Sequence, residues 1–185
     1  MDARIEQITS ELDQIANDAQ NLFGDLSDDK LNTRPADGGW SIAECLEHLI
    51  LSNKLYFADF DRVTDGSRKN TLFERYSPFS SIWGNFLVKA LRNDKQKTKT
   101  IAAAIPSNTT DKVIREPVAR FVAAQNELIA HANAMNAVDW QKTKLTSPFL
   151  SIATYSLFDA FRIIIEHEKR HIRQAQRVLS INDPG

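Results

Sequence analysis

The chain has 185 residues, 42% of them hydrophobic and 25% charged, with a formal net charge of -1. That length supports one well-buried core and excludes two ordinary domains. The near-zero charge leaves no basic field for nucleic acid or an anionic membrane. The lone cysteine, Cys45, excludes an internal disulfide and fits a reducing compartment. The opening Met-Asp-Ala-Arg-Ile-Glu-Gln lacks the apolar core of a signal peptide, and no stretch has the apolar length of a membrane-spanning helix. The expectation is a single cytoplasmic domain over residues 1–185.

Apolar residues at Ile5, Ile8, Leu12, Ile15, Ala19 and Leu22 fall three and four apart, which predicts a first helix from Ile5 to about Phe23. Gly24 ends it, and Pro35-Ala36-Asp37-Gly38-Gly39 reads as a loop. Ser41-Ile42-Ala43-Glu44 is a capping box, so a second helix runs from there through Leu46, Leu49 and Tyr56 to about Phe60. From Val63 to Ser81 the periodicity dissolves into a long loop or a hidden short element. Ile82 to Leu91 predicts a short helix, Arg92 to Thr100 is a polar run, and Ile101 to Ile105 is too short to classify. Pro117 suits the first turn of a third main helix, whose repeat is Phe121, Gln125, Leu128, Ala132 and Met135. The last helix is expected from about Ile152 to Leu179, with Leu157, Phe161, Ile164, Ile165, Ile172, Ala175 and Val178 on its apolar face. No segment shows sustained strand alternation. Four main helices without strands predict an all-α four-helix bundle, with a long loop and a short extra helix between the second and third main helices.

The chemistry concentrates in His167-Glu168-Lys169-Arg170-His171. Histidines four apart on a helix project from one face, so both imidazoles can reach one metal ion. The string also fits H-E-x-x-H, in which the glutamate serves as general base. A following third ligand would have to lie in His171 to Gly185, where Asp183 is the one acid and no further histidine occurs. Glu168 therefore has two readings, a general base or a solvent-facing residue about 100° around the helix from His167. His48, on the second helix beside Leu46 and Leu49, is either a hydrogen-bonded core histidine or a third ligand. In the latter case His48, His167 and His171 leave a coordination position open for water or substrate. His131 is the alternative donor.

Gly39-Trp40-Ser41-Ile42-Ala43-Glu44-Cys45-Leu46-Glu47-His48-Leu49, with Pro35 upstream, resembles the second-helix signature of the DinB-like (YfiT-like) metalloenzyme superfamily. His167 to Gln174, followed by Ala175-Gln176-Arg177-Val178-Leu179, is similar to that family's last-helix motif, and the order and separation of the two also match. The resemblance implies a four-helix bundle holding a divalent metal, commonly zinc or nickel, through His48, His167 and His171. It further implies a small-molecule substrate, chemistry of the thiol S-transferase or isomerase kind with a low-molecular-weight thiol as cosubstrate, and frequent homodimers; hydrolysis by a metal-activated water is the other candidate reaction. Residues 63–116 match no motif of the family.

Each neighbour of these histidines has a structural reading beside a functional one. Glu44 serves the capping box or orients His48. Cys45 is a small buried hydrophobe or a thiolate. Asp159 complements the helix dipole or meets substrate. Trp40 anchors the start of the second helix. Arg68, Lys69, Arg75, Tyr76 and Phe79 form a solvated loop or a lid for an acidic thiol.

Overall fold

The computed structural model describes residues 3–76, 80–93, 101–106 and 113–182. Helix α1 (Ala3–Phe23) buries Ile5, Ile8, Leu12, Ile15 and Ala19, with Phe23 rather than Leu22 completing the stripe. A single-turn helix α2 (Asp28–Asn32) follows, started by Ser27, which caps Lys30; five residues are too few to show a period. Helix α3 (Ile42–Thr64) begins at the expected capping box, with Ser41 and Glu44 reciprocally bonded, and runs one turn past Phe60. The region after it holds two short helices, α4 (Leu72–Tyr76) and α5 (Ser80–Leu91), and a 3-10 turn at Ala102–Ala104. Helix α6 (Pro117–Ala134) buries Phe121, Gln125, Leu128 and Ala132.

The last helix, α7 (Leu157–Asn182), starts five residues later than expected. Before it, β1 (Lys144–Thr146) and β2 (Thr154–Ser156) pair antiparallel, Leu145 opposite Tyr155. The expectation of no strands is corrected here, because three-residue strands are too short to reveal alternation. Ser156 ends β2 and starts α7: its Oγ accepts from Asp159 N and donates to the Asp159 carboxylate. Asp159 thus serves the helix start, and Arg162 holds its other oxygen.

α1 packs on α6 and α7, and α3 packs on the same two. The four therefore form a square bundle, with α1 and α3 on one diagonal and α6 and α7 on the other. Phe161 of α7 locks three elements together, stacking on Phe60 of α3 and on Trp140, whose indole donates to Met135 O at the end of α6. Full burial of side chains such as Phe60, Phe121 and Phe161 is worth roughly 1.5–3 kcal/mol each.

α5 lies outside the square, against α7 and β2. Gly84 makes that approach possible, since a Cβ there would fall 2.7 Å from the Asp159 carboxyl. Residues 65–76 are fastened down. Arg68 pairs with Asp59 and with the buried Glu74, and donates to Lys144 O, while Glu74 also accepts from Thr146 of β1. Arg68 is thereby committed to structure rather than free for a lid. Phe79, the Tyr76 side chain, Asp183 and residues 94–100 of the polar run lie outside the described residues. Among the described residues no helix is long and apolar enough to cross a membrane.

Candidate metal centre

The capping box sets the phase of α3, and that phase turns His48 toward α7. On α7, Ile163, His167 and His171 follow one another at four-residue steps and form a second line facing the first. The ring centroids of His48 and His167 are 5.0 Å apart, those of His48 and His171 4.5 Å, and those of His167 and His171 4.6 Å. One ring nitrogen from each lies within 4.8 Å of the others, so the three side chains could hold a metal ion.

The donor chemistry fits such an ion. His48 Nδ1 donates to the carbonyl of Ala104 at 2.6 Å, which fixes the tautomer and leaves Nε2 as a lone pair. That Nε2 faces His167 Nε2 at 3.2 Å. The buried Nδ1 of His171 makes no well-formed hydrogen bond among the described residues. Burial and the neighbouring imidazoles and Arg170 push His167 well below the ordinary histidine range. Burial, with His48 and Arg170, pushes His171 down to about 3, against a contribution from Gln174 that favours its charged form. Burial also lowers His48, outweighing its bond to Ala104 O. All three are therefore neutral at pH 7, the state in which imidazole is a ligand.

The histidines line a cavity of about 580 Å³. It opens not on the bundle axis but on the crevice between α3 and α7, roofed by Leu87 and Leu91 of α5 and by Phe149 after β1. Trp40 is part of this wall, its ring 4.8 Å from that of His48 and 6.0 Å from that of His171. It packs on the histidines as well as on the start of α3.

Of the two readings of Glu168, the solvent-facing one is overturned, because the residue is fully buried. Its Oε1 accepts from Asn53 Nδ2 of α3 at 2.7 Å and from Gln125 Nε2 of α6, while Oε2 has no partner among the described residues. Burial raises its pKa to about 7 against those two bonds. The reason is the placement of the cavity. His167 faces the outer crevice, so the step of about 100° to Glu168 turns inward, toward the bundle axis. The sequence carried this signal, because Glu168 falls in register with Phe161, Ile164, Ile165, Ile172 and Ala175, the buried stripe of α7.

The other residues do not join the cluster. His131 lies on α6 against Phe57 and Phe60, its Nδ1 3.7 Å from Asp61. Cys45 is buried and its thiol is pushed up to about 12 by desolvation and by Glu44, which leaves it inert. Glu44 accepts from Ser41 N and from Arg34 rather than orienting His48. Asp159 lies outside the cavity wall. The Ala104 carbonyl, which does orient His48, was invisible beforehand, since a backbone oxygen has no residue signature.

No curated protein and no solved structure matches this chain. The family model for the DinB superfamily matches residues 11–175, a span that includes α3, α7 and all three clustered histidines. The chain belongs to the DinB superfamily.

Proposed function

We propose that this protein is a metal-dependent enzyme of one helical domain, in which His48, His167 and His171 hold a divalent ion, zinc or nickel, and the cavity presents a small molecule to it. The observation that carries this reading is the convergence of three neutral imidazoles on the wall of a roofed cavity, with no fourth protein donor beside them among the described residues. An ion held there would lower the pKa of a coordinated thiol or water and so supply a nucleophile near neutral pH. The chain's own part is to orient and to exclude solvent. Ala104 fixes the tautomer of His48, Trp40 packs against two of the imidazoles, and α5 covers the apolar side of the cavity. Transfer of a low-molecular-weight thiol to an electrophile, or hydrolysis, is the reaction such a site supports.

A peptidase of the H-E-x-x-H kind would need Glu168 as its base. The burial of that carboxyl among Asn53 and Gln125, outside the cavity wall, speaks against that use. The experiment is an assay of metal-loaded protein with low-molecular-weight thiols and electrophilic acceptors, and then with esters and amides alone, beside His167→Ala. Turnover that requires both the metal and His167 supports the reading. Metal-loaded protein that is inert throughout contradicts it and leaves a non-catalytic binding protein.

A further inference from the structure

The α3 line that carries His48 continues into the cavity as Ser52 and Tyr56, at successive four-residue steps. Ser52 is 1% exposed, and its Oγ has no hydrogen-bond partner among the described residues. A helical serine ordinarily donates to the carbonyl four residues before it. Ser52 does not, although alanine would pack the same helix without leaving a buried hydroxyl unmet. Nearby, Tyr56 shares a hydrogen bond with Tyr155 at 2.8 Å, and Ser147 accepts from the N–H groups of Phe149 and Leu150. This end of the cavity therefore offers hydroxyls. The one charged side chain among the described lining residues, Arg170, stands on α7 beside the histidines. Between the two ends the walls are aliphatic, with Leu87, Leu91, Ile163 and Ile164.

We infer that Ser52 is a specificity residue whose hydroxyl binds a neutral hydroxyl or carbonyl group of the substrate, about one helical turn from the atom held at the histidines. This rests on the metal-site reading above. The rise from His48 to Ser52 along α3 is about 6 Å. The substrate class that fits is a short alkyl chain with a metal-binding atom at one end and an uncharged oxygen function at the other. An anionic group at the Ser52 end would meet hydroxyls and no described cation.

The test uses the full chain loaded with cobaltous ion, which reports thiolate binding through its charge-transfer absorption. Two probes are titrated, mercaptobutanol and its isosteric alkyl analogue pentanethiol, into wild type and Ser52→Ala. The substitution removes a hydroxyl without a partner, so fold and cobalt content are retained. The expected result is that Ser52→Ala weakens mercaptobutanol about tenfold, the equivalent of one hydrogen bond, and leaves pentanethiol within about twofold. An unchanged ratio of the two affinities, with the absorption band present in both proteins, overturns the role of Ser52 and leaves the metal site standing. Cobalt-treated wild type that lacks the ion's own d–d absorption overturns the metal reading and the inference with it, and bound cobalt that gives no thiolate band with either thiol overturns the inference alone.

Discussion

His167 and Glu168 are neighbours in the chain, yet they serve opposite sides of α7. His167 opens on a cavity, faces two other imidazoles, and is held neutral by burial, by those imidazoles and by the Arg170 cation. Glu168 is sealed among α3, α6 and α7, where two side-chain amides share one of its oxygens. One face gathers ring nitrogens from three neutral imidazoles within 4.8 Å of one another, which is what a ligand site requires. The other is a polar knot inside a hydrophobic core, with its single acid pushed up to about 7. A short motif therefore does not define a site on its own. The side of the helix on which each residue lies decides which of them meet solvent and substrate.

The comparison can be broken by substitution. The largest effect is expected on the cavity side. His171→Ala should lower divalent-metal affinity by at least about 100-fold, measured by competition with a chelating dye, because two imidazoles cannot hold the ion as three do. On the core side, Glu168→Ala should leave metal affinity within about threefold and destabilise the fold by about 2 kcal/mol in urea denaturation, since it strands two buried amide donors. Strong metal loss in Glu168→Ala would mean that the two faces are not separate.

The two faces should also differ in how stability follows pH in the metal-free protein. His171 falls from 6.5 to about 3 on folding, so its contribution is complete above pH 6.5 and is lost as the medium is acidified toward 3. Glu168 rises from 4.5 to about 7, so its contribution is complete below pH 4.5 and is lost as pH climbs through 7. Between pH 4.5 and 6.5 the two oppose one another. Glu168→Gln should therefore steepen the rise of stability with pH across that window, by up to about 1.4 kcal/mol per pH unit, one proton's worth. An unchanged slope would mean that Glu168 titrates as an ordinary acid. The smallest effect belongs to His131→Ala, which should shift stability by less than about 1 kcal/mol and leave metal affinity unchanged.

Much of the candidate site was legible because it rests on helical phase. The capping box at Ser41 and Glu44 sets where His48 points, and four-residue spacing pairs His167 with His171. The stripes of α1 and α6 were legible for the same reason. What escaped the sequence depends on short or backbone features: the single turn α2, the three-residue strands before α7, and the Ala104 carbonyl on His48. Glu168 was misplaced for a different reason. A charged residue in register with Phe161 and Ile165 reads as surface by its chemistry and as core by its position, and the side-chain amides of Asn53 and Gln125 allow position to prevail.

The central claim is that the three histidines form one site with His48 as a full member. It is tested most directly by the metal content per chain of untagged protein, with wild type, His48→Ala and Glu168→Gln purified side by side. The account predicts about one divalent ion in wild type and in Glu168→Gln, and almost none in His48→Ala. Equal metal in His48→Ala and wild type, or none in wild type after reloading at neutral pH, would contradict it.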